Sequence, residues 1–390
     1  MKKLNILLLT PYFCAGGKGK SSPTPSGYEP ISFGGTDLST LSLAEGFKVR
    51  GHNVYVMFAD SGLPEEFTNR KISYILAPVD KRTPWGILVG AYHIKKIIIE
   101  NKIEIIHSQT VIPTLMAYLA KLITKKANFK IIWHCRGIKD HNYLVIGRLF
   151  NYLVDFVIAN CNFERNRLIK GGLSPWKIKT IYNCLNIPFP DRIDKDGKLI
   201  KEIGIREGIP VIGTVARLDS DRGIEYFLQA AAMVKKNLNN VKFFIVGGGP
   251  YANIFLKQAL DLGIKEDVFF LGARRDVGRI YPILDIFVNP RALETGTGNA
   301  NAEAMAYGRS VIACSSGGVP ELVKNDVTGI LVPSKDSKKL AEAIVYLLQN
   351  KETSERIGQA GRQLIKEYFT QERLMREMEE VYCQVLNNSF

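Results

Sequence analysis

The sequence predicts an α/β protein made of two Rossmann-like, doubly wound parallel-sheet domains that face a shared cleft. Three observations support this prediction. The chain has 390 residues, more than one ordinary core accommodates. Hydrophobic residues make up 46% of it and charged residues 23%, which is typical of a globular protein. Short runs rich in Ile, Val and Leu alternate with helical stretches along the whole length, as in βαβ units.

Apolar runs are predicted to be strands in both halves of the chain. In the first half these are Leu4–Leu9, Asn53–Phe58, Ile103–His107, Lys130–His134 and Phe156–Ala159. In the second half they are Val211–Val215, Lys242–Val246, Val268–Leu271, Ile286–Asn289 and Ser310–Ala313. Helices are predicted at Leu38–Val49, Ile224–Lys236, Lys338–Gln349, Ser354–Glu367 and Gln371–Leu386. Ligand sites are expected at the carboxyl ends of the strands.

The domain boundaries are predicted from composition. Prolines in 187–190 and the charged stretch Asp191–Lys198 show little periodicity, which is typical of a linker. We therefore predict a first domain at 1–190, a linker at 191–204 and a second domain at 205–370. A C-terminal helix at 371–390 is expected to pack back on the first domain.

The N-terminal segment and the cysteines indicate the cellular compartment. Lys2-Lys3 followed by Leu4–Leu9 superficially resembles a signal peptide, but Pro11-Tyr12-Phe13 follows where a small-residue cleavage site is expected. A buried strand explains the run better, and no apolar stretch is long enough to span a bilayer. Six scattered cysteines without metal-like spacing fit reduced thiols better than disulfides or zinc. We expect a cytoplasmic protein.

Positive charge is concentrated in the first half. Residues 1–200 carry 28 Lys and Arg against 15 Asp and Glu (+13), and the remainder carries 24 against 23 (+1). This asymmetry favours an anionic partner, although a solvated basic surface explains it equally well. Tyr92–Lys102 and Ala117–Lys130 mix apolar residues with lysines, so they are either a surface for peripheral contact with the inner face of an anionic membrane or core helices with solvated lysines. Without a recognisable motif, no nucleic-acid partner is expected.

The loop after the first strand, 10–33, ends at a glycine pair. Gly19-Lys20-Ser21 within it resembles part of a P-loop, but Cys14 stands where the motif needs glycine and Pro23 follows where it needs a helix, so we reject that interpretation. Gly34-Gly35 precede a helical pattern. Their amides and the helix dipole can favour an anion, although glycine pairs also serve ordinary turns.

Two guanidinium groups follow the first strand of the second half. Arg217 and Arg222 lie on one strand-to-helix loop, where they can clamp a diphosphate by charge-assisted hydrogen bonds. The alternative is that both are surface arginines paired with Asp219 and Asp221. Gly247, in a turn after the next strand, resembles part of a dinucleotide fingerprint that lacks its third glycine, so alone it is weak evidence for a nucleotide.

The segment Asn289–Ala306 leaves a buried strand, crosses a Gly/Thr/Asn loop and enters a helix of small residues. Glu303 in that helix can accept two hydroxyl hydrogen bonds, as from ribose, and loop amides around Gly298 and Asn299 can meet sugar hydroxyls or phosphate oxygens. Glu303 as a simple helix N-terminal charge is the alternative.

His107 and His134 stand at the carboxyl ends of predicted strands and are placed to face the cleft. A histidine at such a place is more often packed or on the surface than catalytic. Glu321, after a further strand, either repeats the arrangement of Glu303 or caps the helix that follows.

Together these segments resemble the large family of retaining, nucleotide-sugar-dependent glycosyltransferases with the GT-B fold, family 4. The resemblance extends nearly end to end, and the ordered set is more specific than any one motif. The matching segments include Phe33-Gly34-Gly35, Gly213–Leu218 with Arg222-Gly223, Gly247–Pro250, Glu303–Ala306 and Gly317–Val323. The resemblance implies transfer of a hexose-type sugar from a nucleotide-diphosphate sugar to a glycan, lipid-linked or small-molecule acceptor, in polysaccharide or glycolipid synthesis. It implies no required cofactor or metal.

The resemblance also implies roles at matching positions. Gly35 matches the helix-start glycine near the donor diphosphate, Gly34 beside it is a further donor-binding candidate, and Arg217 matches the family's phosphate-binding arginine. Arg222 occupies its lysine position, a departure that keeps the charge and changes the hydrogen-bond geometry. Glu303 matches the second carboxylate of the E-x7-E motif, which holds the ribose hydroxyls, and His134 matches the histidine near the transferred sugar.

The first carboxylate of that motif is the clear mismatch. Thr295 stands eight residues before Glu303, and Glu294 is one position early. Either the loop is re-spaced so that Glu294 reaches the sugar, or the role is altered. The catalytic candidates are therefore Glu294, His134, Arg217 and Arg222, and Thr295 is a candidate for donor binding.

Two other functions are compatible with these residues. One is a nucleotide-sugar epimerase or hydrolase on the same fold. The other is a non-catalytic, degenerate homologue, which the irregular Glu294/Thr295 spacing motivates. The donor sugar, the base, the acceptor and the oligomeric state are not predicted from the sequence.

Overall fold

The chain forms two parallel β-sheets covered by helices. The computed structural model describes residues 2–12, 35–59, 64–124, 128–138, 143–185, 187, 189–206, 208–292 and 296–387. Gly34, Glu294 and Thr295, three of the residues singled out above, lie outside this part of the chain.

The strands are named in chain order. Those of the first sheet are β1 Asn5–Tyr12, β2 Asn53–Ala59, β3 Ser73–Leu76, β4 Ile105–Ser108, β5 Lys130–Cys135, β6 Phe156–Ala159 and β7 Ile178–Thr180. Those of the second sheet are β8 Val211–Val215, β9 Lys242–Val246, β10 Val268–Gly272, β11 Ile286–Asn289, β12 Ser310–Cys314 and β13 Ile330–Val332.

The helices follow the same convention. Up to residue 203 they are α1 Gly35–Val49, α2 Pro64–Asn69, α3 Pro84–Asn101, α4 Val111–Ile123, α5 Tyr143–Leu153, α6 Asn162–Lys170 and α7 Gly197–Ile203. Beyond it they are α8 Ile224–Asn237, α9 Ala252–Asp261, α10 Val277–Ile280, α11 Asn299–Ala306, α12 Val319–Leu322, α13 Ser337–Gln349, α14 Lys351–Tyr368 and α15 Gln371–Leu386. None of the helices in the described ranges is long and apolar enough to cross a membrane.

The first sheet has the strand order β3-β2-β1-β4-β5-β6-β7, and its described pairings are parallel. Helices α3 to α6 cover one face, where Ile94, Met116 and Phe150 join the core. Helices α1 and α15 contribute to the core of the other face. The order reverses between β1 and β4, so the loops after these strands diverge at the carboxyl edge of the sheet.

Helix α15 completes the core of the first sheet. Its apolar side, including Met378 and Tyr382, is buried with Phe47 of α1 and residues of β1 and β2. A Cβ on Gly46 would overlap the Met375 side chain, so glycine permits the close approach of α1 and α15. Thr370 caps the helix by accepting a hydrogen bond from the Arg373 amide at 3.2 Å.

The second sheet has the order β10-β9-β8-β11-β12-β13, again with parallel pairings. Its core includes Phe227 of α8, Phe243 of β9 and Ile344 of α13. The order reverses between β8 and β11, which places the loops after those two strands at the point where ligands bind in doubly wound sheets.

The sequence-based fold class is confirmed, and all ten predicted strands are present. The three strands that the sequence did not predict, β3, β7 and β13, are short strands at sheet edges. These three strands have only three or four residues each, so no apolar run is long enough to mark them as strands in the sequence.

The chain divides into two compact units. The first comprises the described residues up to Cys184 together with those from Thr370 onward, and the second comprises Leu185–Phe369. The segment expected to be a linker, 191–204, belongs to the second unit and contains α7, which begins where the Asp196 side chain accepts from the Leu199 amide at 2.9 Å.

Candidate active site

The loops that follow β8 and β11 are held together by a glycine contact. Gly223, just before α8, has φ 73°, and a Cβ at this position would overlap the Pro290 carbonyl oxygen. Only glycine accepts both the left-handed conformation and this approach without strain. Arg222 and Arg291, one on each loop, are therefore brought to the same edge of the sheet.

Gly247 has a packing role in the neighbouring turn. Its φ is 144°, and a Cβ there would overlap the Ala216 carbonyl oxygen in the loop that leads to Arg217. Its amide donates to the Gly272 carbonyl at 2.8 Å. Backbone packing therefore explains the glycine at this position. Its amide already donates a hydrogen bond within the protein.

Three guanidinium groups lie on the β8 and β11 loops, and two share one carboxylate. Arg217, whose side chain is 49% exposed, pairs with Asp219. Arg222 and Arg291 each lie 3.3 Å from a different oxygen of Asp221. The pairing with Asp219 and Asp221 that the sequence left open is therefore present.

These ion pairs do not prevent anion binding. An exposed ion pair such as Arg217–Asp219 contributes about 0–1 kcal/mol to the free energy of folding. A phosphate can therefore replace Asp219 as the partner of Arg217 at small cost. Arg222 and Arg291 are less exposed, and both pair with the Asp221 carboxylate, which orients them. Sequence reasoning missed Arg291, although it follows the end of β11 as Arg217 follows the end of β8.

Glu303 is a buried carboxylate in α11. The Tyr281 hydroxyl donates to its Oε2 at 2.7 Å, and Tyr281 is itself stacked on Tyr307 with ring centroids 5.6 Å apart. Burial raises the pKa of Glu303 from 4.5 to about 7, against the lowering effect of the Tyr281 hydrogen bond. Within the described residues Oε1 has no hydrogen-bond partner, so it can accept hydrogen bonds from a ligand.

The start of α11 presents further polar groups. Gly298 has φ 81°, and a Cβ on it would lie 2.6 Å from Nδ2 of Asn301. Asn301 is fully buried and donates to the Thr297 carbonyl at 2.9 Å, while its Oδ1 has no partner among the described residues. Asn299, a donor-binding candidate, is the first residue of α11 and is half-buried.

In the first unit, His134 belongs to a buried hydrogen-bond network. Its Nδ1 lies 3.1 Å from Nε2 of His107 and 3.4 Å from Nη2 of Arg136. Arg136 also donates to Oε1 of Gln109 and to Oδ1 of Asn183, both at 2.6 Å. Within the described part of the chain, Nε2 of His134 has no hydrogen-bond partner.

Burial governs the charge of this network. Desolvation, reinforced by the nearby Arg136 charge, lowers the pKa of His107 to about 3 and also holds the pKa of His134 well below 6.5. Burial also lowers the pKa of Arg136 to about 9, so its guanidinium stays charged at neutral pH. Both histidines are therefore neutral. Arg136, directly after β5, was also missed by sequence reasoning.

Gly35 and Glu321 are the remaining candidates from the sequence. Gly35 opens α1, as the sequence predicted, and Glu321 lies in the first turn of the short helix α12. Within the described residues, no group of three or more His, Cys, Asp or Glu side chains could hold a metal ion.

Comparisons with known proteins show the family of the chain. Residues 33–188 match the model of "Glycosyltransferase Family 4" and residues 196–364 match that of "Glycosyl transferases group 1". The chain is 25% identical to N-acetyl-alpha-D-glucosaminyl L-malate synthase of Bacillus anthracis over 375 residues, which cover 92% of this chain and 96% of that protein.

Solved structures show the same fold. A glycosyltransferase from Rickettsia africae superposes with a TM-score of 0.83 at 21% identity, covering 100% of both chains. Anabaena HepE in complex with UDP-glucose superposes with a TM-score of 0.80 at 22% identity, covering 98% of this chain and 100% of that one. Two Rossmann-like parallel sheets with these neighbours define a GT-B glycosyltransferase. The protein belongs to the group 1, family 4 glycosyltransferases.

Proposed function

We propose that this glycosyltransferase moves a hexose-type sugar, with retention of anomeric configuration, from a nucleotide-diphosphate sugar to a glycan, lipid-linked or small-molecule acceptor. The observation that carries the proposal is the pair Arg222 and Arg291, held on Asp221 at the point where the second sheet reverses. Two preorganised guanidinium groups on a glycine-tightened loop suit a diphosphate. The complex of Anabaena HepE with UDP-glucose supports a nucleotide-sugar donor.

The arginines would act mainly on the leaving group. As the sugar–phosphate bond breaks, negative charge grows on the departing diphosphate, and Arg217, Arg222 and Arg291 can neutralise it. Each preorganised donor of this kind contributes about 3 kcal/mol to transition-state stabilisation. In this proposal guanidinium groups, rather than a metal, take up the charge, so transfer should persist in EDTA.

The other candidates bind parts of the donor. Glu303 would accept two ribose hydroxyl hydrogen bonds, since its Oε1 is available and Tyr281 steadies its Oε2. Gly34 and Gly35 would add amides to the diphosphate, and Gly298 and Asn299 would meet hydroxyl or phosphate oxygens. Glu294, or Thr295 beside it, would contact the transferred sugar. Catalysis would depend on positioning of the substrates and on stabilisation of the leaving group.

His134 would serve as a neutral hydrogen-bond donor to a sugar oxygen. Its Nδ1 is already occupied by His107 and Arg136, whereas its buried Nε2 has no partner in the described chain. A buried polar nitrogen without a partner is costly, and a hydroxyl of the substrate would satisfy it.

A ligand screen followed by product analysis tests the function. Nucleoside diphosphates and nucleotide sugars would be compared for thermal stabilisation, since a ligand at about 100 times its Kd adds about 2.7 kcal/mol. The best donor would then be incubated with and without acceptors, and the anomer of the product read by NMR. An axial donor should yield an axial glycoside. Turnover without an acceptor would indicate an epimerase or hydrolase, and binding without turnover across many acceptors would indicate a non-catalytic homologue.

We further propose that the acceptor side of the enzyme contacts an anionic membrane through one helical face of the first unit. On α3 the outward positions Trp85, Leu88, Tyr92 and Ile99 are apolar, with Trp85 75% and Tyr92 62% exposed. On α5, which covers the same face of the sheet, large apolar side chains including Tyr152 are also exposed. Lysines such as Lys96 and Lys102 accompany them, and this mixture suits the interface of an acidic bilayer.

Vesicle sedimentation tests the membrane contact. Wild type should pellet with anionic vesicles and not with neutral ones, less so at high salt. The variant Trp85→Ser/Tyr92→Ser should lose this binding, whereas the control Ile254→Ser/Leu260→Ser, which alters two exposed apolar residues of α9, should keep it. Equal binding to both kinds of vesicle would contradict the proposal.

A further inference from the structure

A buried chain of three side chains links the C-terminal helix to His134. The Tyr382 hydroxyl on α15 lies 2.6 Å from Nδ1 of His107 on β4. Nε2 of His107 lies 3.1 Å from Nδ1 of His134 on β5. All three side chains are fully buried. Phe47 stacks on the Tyr382 ring with centroids 5.1 Å apart, which holds the hydroxyl in place.

Arg136 gives this chain a direction. A guanidinium can only donate, so Nδ1 of His134, 3.4 Å from Nη2 of Arg136, must be an acceptor. His107 must then carry its proton on Nε2 to bond the same nitrogen. Its Nδ1 is left as an acceptor, and the Tyr382 hydroxyl donates to it. In the neutral state His134 therefore carries its proton on Nε2, the nitrogen without a partner among the described residues.

We propose that Tyr382 is a positioning residue for sugar transfer: through His107 it fixes the proton of His134 on Nε2, which makes that nitrogen a permanent hydrogen-bond donor toward the substrate. The inference rests on the proposed role of His134. It also gives α15 a function beyond packing. The Arg136 contact is long, at 3.4 Å, whereas the buried Tyr382 hydroxyl, whose one partner among the described residues is His107, can donate its proton only if Nδ1 of His107 is an acceptor. Without the hydroxyl, His107 is free to place its proton on Nδ1. His134 can then carry its proton on Nδ1 and donate it to His107, which leaves a lone pair on Nε2 in place of a hydrogen-bond donor.

The test combines NMR with kinetics on the full chain. In ¹⁵N-labelled wild type, His134 should show a protonated Nε2 and an unprotonated Nδ1, assigned by comparison with His134→Gln. Tyr382→Phe keeps the ring on Phe47 and removes only the hydroxyl, and it should mix or invert the tautomer of His134. With the best donor and acceptor, kcat should fall about tenfold, as for the loss of one hydrogen bond, while KM changes less.

Two further variants separate positioning from stability. Tyr143→Phe removes a similar buried hydroxyl of the first unit, which donates to Oε2 of Glu164 at 2.6 Å, and should leave the His134 tautomer unchanged. In a His107→Leu background no hydrogen bond connects Tyr382 to His134, so adding Tyr382→Phe should no longer alter the tautomer.

Three results would overturn the inference: a proton on Nδ1 of His134 in wild type, an unchanged tautomer in Tyr382→Phe, or an altered tautomer with an unaltered transfer rate. The NMR measurement needs no substrate. A failure of the proposed function would be seen as no transfer by wild type with any donor. It is therefore distinguishable from a failure of the inference that Tyr382 positions the proton of His134.

Discussion

Replacing Glu303 by glutamine should make the protein more stable above neutral pH while it abolishes tight nucleotide binding. Glu303 is 7% exposed, and burial raises its pKa from 4.5 to about 7. A carboxyl group that holds its proton more tightly in the folded chain than in the unfolded chain favours folding while it is protonated. Wild type should therefore lose stability as the pH rises from about 4.5 to about 7.

The magnitude follows from those two values. The interval between a pKa of 4.5 and one of about 7, at about 1.4 kcal/mol for each pH unit, corresponds to a cost on the order of 3 kcal/mol at about pH 8. Glutamine cannot ionise, and its carbonyl oxygen still accepts from the Tyr281 hydroxyl. The free energy of unfolding of Glu303→Gln should exceed that of wild type by up to this amount at about pH 8, and by little at about pH 4.

Urea denaturation of wild type and variant across this pH range measures the difference. Glu164→Gln is the matched control, because Glu164 is also a buried carboxylate with a raised pKa and a tyrosine donor, in the first unit. Both variants should gain stability at high pH, but only Glu303→Gln should lose nucleotide affinity. A Glu303→Gln variant that is less stable than wild type at about pH 8, or a stability difference that does not depend on pH, would refute the reasoning.

Further predictions concern the second unit. Arg217→Ala should reduce kcat at least about a hundredfold with folding intact, measured by steady-state transfer assays, and near-normal activity would count against the leaving-group role. Arg291→Ala should weaken nucleoside diphosphate binding more than nucleoside binding in calorimetry, and an equal loss for both ligands would mean that Arg291 does not meet the phosphates. Gly223→Ala should lower the stability by about 1–3 kcal/mol because of its left-handed φ and the Pro290 carbonyl, and an unchanged melting temperature would disprove this. Nucleotide affinity should decline as the pH falls below about 7, since ribose hydroxyls favour the ionised Glu303, and titration calorimetry at several pH values would detect a pH-independent affinity if this is wrong.

The amino-acid sequence alone determined the architecture. Strands β6, β8, β9 and β11 have the predicted bounds, because a strand buried on both faces leaves an uninterrupted apolar run that is readable locally. The glycine and arginine positions around Arg217 and Arg222 were also evident, since strand–loop–helix order places them at the carboxyl edge of the sheet. The edge strands β3, β7 and β13, of three or four residues each, are too short to leave a recognisable run and were missed.

Tertiary structure alone decided the partners of the site residues. Tyr382 follows His107 by 275 residues, and the hydroxyl of Tyr281, which precedes β11, reaches Glu303 in α11 from 22 residues away, so no local pattern relates them. The same holds for Asp221, which joins Arg222 to Arg291 across two loops, and for Gly247, whose glycine is explained by the Ala216 backbone. Periodicity reports which face of an element is buried, whereas the direction of a hydrogen bond and the charge of a buried group depend on neighbours that only the folded chain supplies.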